Sequence, residues 1–474
     1  MEEAARQRLH DEKGLGSNEP ANNEFQYITG WKQPLTIASL AFAIFLVNFE
    51  VTIVSTALVS ISNDLQNYTR TSWVVTAYLI TYSAGLVIWA KLSDILGRKP
   101  SYIATLLLFS TFSGGSRAAQ TMIQLIVCRP FQGVGGGGVY AVALVMLYEL
   151  VPKSKYPLYT AMAALANALG PIFGGLIARS SAWRWVFLLN VPSGIIIAIV
   201  VFSAVPKDFP YQGLEKAKES PRYREIDFTG ALLLLAALAL LIAGFEEAAS
   251  RLDWTTAAAL APICVSAVAW IAFFASQWYF TRPNSGVQPV FPWRFCENRE
   301  VLGLFLNSFF TGAVSITCII QLPLRYQTTV GASPLQAGIR LLPFVMCGPI
   351  GATITAALAK GRKVAPVDIG LVAVASAVGT QMRFVGSAIV VAIVTAVSND
   401  WIKDDLSVLL SPSQIEDMFR STDTIYDLPE SDQPIVRSAF VTSFNLQMHI
   451  VLGFAAASIF SILLMWKKNP TKVY

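Results

Sequence analysis

Long apolar runs separated by short polar breaks set the pattern of this chain. Such runs occupy residues 36–61, 73–93, 101–119, 122–149, 157–179, 183–205, 228–245, 254–280, 301–322 and 335–358, with two more regions at 366–398 and 447–466. A bilayer core about 30 Å thick needs about 20 apolar residues in a helix, so each run predicts a membrane-crossing helix. The stretch 366–398 is interrupted only by Gln381 and Arg383. Split in two, it would give pieces of about 15 residues, too short to span comfortably, so one long helix is predicted. Gly, Pro and Ser recur inside these runs. They would break helices in water, but small residues let neighbouring helices approach closely in lipid. The pattern predicts an all-α integral membrane protein with about 12 transmembrane helices.

Composition agrees with lipid as the solvent. Hydrophobic residues make up 54% of the 474 residues and charged residues 14%, with a mean hydropathy of +0.53. The net charge of +5 does not point to nucleic acid, because Lys and Arg sit in short clusters between apolar runs rather than along one face. Cys128, Cys264, Cys318 and Cys347 lie in apolar segments and Cys296 in a short basic loop, with no CxxC or Cys/His spacing. His10 and His449 are the only histidines. Neither a disulfide framework nor a metal site is indicated, and histidine-based enzyme chemistry has almost no material.

The polar first 35 residues predict a disordered cytosolic tail without a signal peptide. With that end inside, the cytosolic breaks collect Lys91, Arg98, Lys99, Lys153, Lys155, Lys207, Lys216, Lys218, Lys360, Arg362, Lys363, Lys467 and Lys468. The opposite breaks are poorer in bases, and 399–446 is acidic. This is the positive-inside distribution, and it returns the 467–474 tail to the cytosol. The resulting organisation is a six-helix bundle over 36–205, a cytosolic loop at 206–227 and two linking helices within 228–280. A second cytosolic loop at 281–300 then leads to a four-helix bundle over 301–466 that contains the extracellular loop 399–446. The sequon Asn67-Tyr68-Thr69 falls in the first outside loop, where Asn67 is a candidate glycosylation acceptor.

Chemistry concentrates at a few charged positions. Glu50 lies deep in the first span. Carrying charge there is costly, and a carboxyl whose exposure alternates can take and release a proton; permanent pairing with Arg129 is the alternative reading. Arg129 stands inside the fourth span in Arg129-Pro130-Phe131-Gln132-Gly133, where an arginine must face a cavity or a carboxylate. The following run Gly135 to Gly138 lacks the Lys-Ser/Thr pair of a phosphate loop and reads as a close-packing face. After the second span, Asp94, Gly97, Arg98 and Lys99 form a charged turn that either latches one state of two moving bundles or simply anchors the cytosolic side. In the fifth span, Gly170, Pro171, Gly174 and Gly175 give a bent helix with a flat face, fit for a static kink or for a sliding contact.

Together these residues resemble the major facilitator superfamily, in particular its fourteen-span drug:proton antiporter branch in fungi. The Asp94 turn resembles the signature between spans two and three, Arg129 to Gly133 the span-four motif, and Gly170 to Gly175 the antiporter motif. Trp183 to Pro192, Leu322 to Gln327, Ser333-Pro334 and Gly338 to Pro343 are similar to further segments of that branch. Ala90, Ile95, Ala166 and Glu50 stand where the pattern has glycine, arginine, glycine and aspartate. After Lys360 to Lys363 the chain passes directly to Gln381 to Gly386, which resembles span thirteen, so spans eleven and twelve have no counterpart. The count becomes 6 + 2 + 4.

The resemblance implies alternating access, with a proton gradient instead of a cofactor as the energy source and Glu50, Arg129 and Gln132 coupling proton and substrate. It implies export of a drug, toxin or secondary metabolite through a multi-pass membrane carrier. The plasma membrane is its expected place, and a vacuolar or vesicle membrane the alternative. Proton-driven uptake of a nutrient or siderophore, and an inactive or sensor-like shortened carrier, are the competing functions.

Overall fold

The computed structural model describes residues 30–151, 156–178, 182–206, 209, 227–251, 254–282, 285–287, 289–359, 369–421, 424–425 and 428–465. The tail 1–29, the loop 210–226, the basic cluster 360–363 and the end of the chain from 466 lie outside the described residues.

The described residues form α1 (Lys32–Asp64), α2 (Thr71–Leu96), α3 (Arg98–Ala118), α4 (Met122–Leu150), α5 (Tyr156–Ala178), α6 (Arg184–Leu188), α7 (Asn190–Ala204) and α8 (Phe228–Arg251). They continue with α9 (Ala257–Phe280), α10 (Arg294–Glu297), α11 (Arg299–Val330), α12 (Pro334–Ala359), α13 (Ile369–Leu406), α14 (Pro412–Arg420) and α15 (Gln433–Leu464). Every predicted span has a helical counterpart. Nine segments among the described residues, with α6 and α7 taken as one, are long and apolar enough to cross a membrane.

Helix ends follow from local chemistry. Only Leu189 separates α6 from α7, and its helical backbone (φ −56°, ψ −30°) keeps the chain turning. Pro192 falls in the first turn of α7, where its missing N–H costs nothing. Gly331 takes the left-handed conformation (φ 65°, ψ 24°) that stops α11, and Pro334 starts α12 three residues on.

Two regions differ from the sequence expectation. The span expected to end at 322 runs on to Val330, with Pro323 inside it. The stretch 399–446 is largely helical: α13 continues to Leu406, Ser411 closes a capping box on α14, and α15 begins at Gln433. The first turns of α15 carry Gln433, Arg437, Ser438, Thr442 and Ser443, so hydropathy alone hid them.

Burial separates central from peripheral helices. In α1, α2 and α4, 72% of the apolar window is buried inside the protein, against 17% in α9 and α15. Leu40, Ile44, Val47, Ile53, Val54 and Ile61 of α1 are enclosed together with Val74, Leu79 and Leu86 of α2. A helix apolar all round and buried all round belongs to the middle of a bundle. The exposed Ile271, Val268, Phe460 and Leu463 are then lipid-facing. Helix α8 packs on α2 and α13 and carries α9 on its outer side. The two halves meet along three seams, α5 with α12, α2 with α13 and α1 with α11.

Candidate functional site

Glu50 and Arg129 meet in the middle of the amino-terminal half. Arg129 Nη1 lies 2.5 Å from Glu50 Oε1, and both side chains are fully buried. Each carboxylate oxygen has a donor: Gln132 Nε2 donates to Oε1 at 3.0 Å, and Asn190 Nδ2 donates to Oε2 at 2.6 Å. Gln132 also accepts from Arg129 Nη1 at 2.7 Å and donates to Ser113 Oγ at 2.8 Å. Arg129 Nε donates to the Val74 carbonyl at 2.6 Å, and the guanidinium carbon stands 4.4 Å from the centre of the Tyr78 ring.

Four helices therefore converge on one ion pair, with Glu50 from α1, Val74 and Tyr78 from α2, Arg129 and Gln132 from α4 and Asn190 from α7. The pair satisfies itself in hydrocarbon because nearly every lone pair and proton has a partner; only Arg129 Nη2 has none. Sequence reasoning brought together Glu50, Arg129 and Gln132 but gave Asn190 and Ser113 no role. Asn190 carried a signal: it is a lone amide between the apolar runs Val186 to Leu189 and Ile195 to Val201.

The turn between α2 and α3 builds a second charged cluster. Gly97 joins α2 to α3 with φ at 93°, a conformation that side chains oppose. Arg98 pairs with Asp94, bonds Glu149 Oε1 at 2.8 Å and donates to Ser93 Oγ at 2.7 Å. Glu149, at the end of α4, is the partner that sequence analysis missed. Lys99 donates to the carbonyls of Phe202 and Val205 at 2.7 Å each, capping the end of α7. Asp94, Arg98 and Lys99 thus tie together neighbouring ends of α2, α3, α4 and α7.

The glycines of α5 lie at two seams. A Cβ at Gly170 or Gly174 would run into Thr52, Thr56 and Ile53 of α1. A Cβ at Gly175 would strike Pro334 and Leu335 of α12, and Gly338 of α12 presses on the carbonyl of Pro171. Helix α5 is therefore held between α1 of its own half and α12 of the other. Asn67 lies in the α1–α2 turn, where its Oδ1 accepts from Thr69 Oγ1 at 3.1 Å and from the Arg70 N–H at 3.3 Å. The backbone N–H groups of Tyr68 and Thr69 reach the Phe419 carbonyl at 3.0 and 3.2 Å, tying this turn to α14. Among the described residues, no group of three or more His, Cys, Asp and Glu has the makings of a metal site.

Comparison with known proteins agrees with this architecture. The family model described as Major Facilitator Superfamily matches residues 40–399. The MFS-type transporter FPY5 of Fusarium mangiferae is 31% identical, aligned over 97% of this chain and 88% of its own length. That alignment runs over 525 positions against a chain of 474 residues, so the relative carries residues with no counterpart here. Multidrug resistance protein 3 of Bacillus subtilis is 30% identical over 67% of this chain and 60% of its own length. Efflux pump dotC of Dothistroma septosporum is 30% identical over 71% of this chain, which spans 57% of that relative. A solved bacterial homologue of the human drug peptide transporters PepT1 and PepT2 shares the fold, with a TM-score of 0.52 at 15% identity over 91% of this chain and 99% of its own. Family and relatives point to a transporter and not an enzyme. The apolar helices, the bundle and the matched sequence together place this multi-pass membrane protein in the major facilitator superfamily.

Proposed function

We propose that the chain is an efflux carrier of the plasma membrane that expels small organic molecules in exchange for protons. The observation that carries this reading is the fully buried Glu50–Arg129 pair, held by Gln132 and Asn190 between four helices. A proton arriving on Glu50 would discharge one half of the pair and leave Arg129 as a buried charge without a counter-charge. Such a charge is strongly destabilising, so protonation would favour a state in which Arg129 meets water or a substrate. The seams at α5–α12, α2–α13 and α1–α11 are the surfaces on which the halves would rock. The names of the relatives Multidrug resistance protein 3 and Efflux pump dotC support the outward direction.

Everted vesicles with an imposed proton gradient test it. Wild-type protein should accumulate a fluorescent organic probe, whereas Glu50→Gln should abolish gradient-driven accumulation while reaching the membrane in equal amount. Undiminished accumulation by the variant would remove Glu50 from coupling. Accumulation confined to right-side-out vesicles would assign uptake instead.

A further inference from the structure

Around the seam between α2 and α13, several buried polar groups have no partner in the ion-pair network. Tyr78 and Tyr82 are fully buried, with ring centres 5.6 Å apart, and neither hydroxyl has a hydrogen-bond partner. They fit there because Gly136 and Gly137 of α4 leave room: a Cβ at Gly136 would meet the Tyr78 hydroxyl, and one at Gly137 the Tyr82 backbone. Trp89, farther along α2, leaves its indole N–H unpartnered. From α13, Phe384 sets its ring 4.4 Å from that of Tyr82. Gln381 lies one turn before Phe384 on the same face, fully buried, with neither Oε1 nor Nε2 bonded. Arg383 is within electrostatic reach of the hydroxyls of Tyr82 and Tyr140, and its Nε is buried and unpartnered.

Inventory decides what such a site would take. Arg383 and Trp89 can only donate, Tyr78 and Tyr82 have free hydroxyls, and Gln381 alone offers an amide oxygen. Buried polar groups are ordinarily bonded, so this many open donors along one seam call for a ligand rich in acceptors. Among the described residues no carboxylate forms an ion pair with Arg383. Glu50 is consumed by Arg129, and Glu246 of α8 is bonded to Ser72 and Thr76, about two turns nearer the outer end of α2. Tyr140 and Phe384 pack on Tyr82, so the same groups sit among aromatic rings, the surroundings an aromatic ligand would share.

We infer that Arg383, with Gln381 and the Tyr78–Tyr82 pair, forms the part of the substrate site that selects aromatic organic anions, its guanidinium taking the carboxylate or phenolate. This inference rests on the efflux reading for its setting but not for its chemistry, since binding is measured without transport.

Fluorescein and rhodamine 6G share a xanthene ring system and carry opposite charge, so the pair isolates the sign of the ligand. In titrations of detergent-purified full-length protein, wild type should bind fluorescein in preference to rhodamine 6G. Arg383→Gln should weaken fluorescein by about tenfold or more, the loss of a charge-assisted contact, and leave rhodamine unchanged or improved. Arg383→Lys should recover part of the affinity, which guards against a merely misfolded variant, and Glu246→Gln should leave the preference intact. The inference falls if wild type prefers rhodamine or binds neither dye, if Arg383→Gln loses both dyes or neither, or if Glu246→Gln is the variant that reverses the preference. Arg383-dependent binding of fluorescein without gradient-driven accumulation in vesicles upholds the anion site and overturns the export reading alone.

Discussion

At the residue scale, the central fact is that two opposite charges lie where hydrocarbon forbids single ones. Asn190 is the least obvious contributor: among the described residues its amide alone donates to Glu50 Oε2, from a position 1% exposed. Removing it leaves a buried carboxylate oxygen unpaired, at a cost of about 1–3 kcal/mol. Asn190→Ala should therefore lower the melting midpoint of the detergent-purified protein and reduce gradient-driven transport; an unchanged midpoint would show that Glu50 does not need this donor. Arg129→Lys should fail as well, because one ammonium cannot serve Glu50, Gln132 and the Val74 carbonyl in the geometry of a planar fork. A drug-tolerance assay in a sensitive host reads that outcome. Glu50, Arg129 and Gln132 were legible in the sequence because charge and amide groups inside apolar runs are costly enough to need a reason. Glu149 was not, since a carboxylate at the end of a span looks like an ordinary water-facing residue until Arg98 is seen against it.

At the scale of elements, α5 is held on two sides. Gly174 touches α1 and Gly175 touches α12, so neither helix can be crowded without disturbing a seam. Gly175→Leu adds side-chain atoms where even a Cβ collides with the backbone of α12, and the helices must part or the fold must strain. The expected outcome is normal abundance with transport lost, together with faster reaction of a cysteine placed at Leu335 toward a membrane-impermeant maleimide. Equal labelling in both proteins would show that the seam tolerates the bulk. The length of the apolar runs sufficed to read the long helices themselves, though not the short α10 and α14. The extent of α15 could not be read that way, because its first turns are polar and hold their place by packing: Val436, Ala439 and Phe440 close a small core with Ile402, Leu406 and Met418.

For the whole molecule, the expected orientation puts both chain ends on one face and Asn67 on the other. Tags at the two termini should be cleaved by protease from the same side of sealed vesicles, and Asn67→Gln should remove an endoglycosidase-sensitive mobility shift. Opposite-side cleavage of the tags would overturn an even number of crossings. The order of the spans was readable because each is a separate apolar run, but their neighbours were not: α2 packs chiefly on α4, α1 on α5 and α11 on α13. The position of the linking pair was not: α8 wedges against α2 and α13, contacts between residues more than a hundred positions apart, and α9 rests on α8.

Helix α13 has 38 residues, an unbroken rod of about 57 Å against a hydrocarbon thickness of about 30 Å. Even with tilt it overshoots the bilayer, and its carboxy-terminal end, expected outside, builds with α14 and the start of α15 a rampart whose core includes Tyr68 from the opposite half. Cargo set free at this end would emerge inside a walled forecourt and not at the lipid surface. Large impermeant reagents would meet that parapet first, which makes α14 the natural place for a blocking antibody fragment to stop traffic.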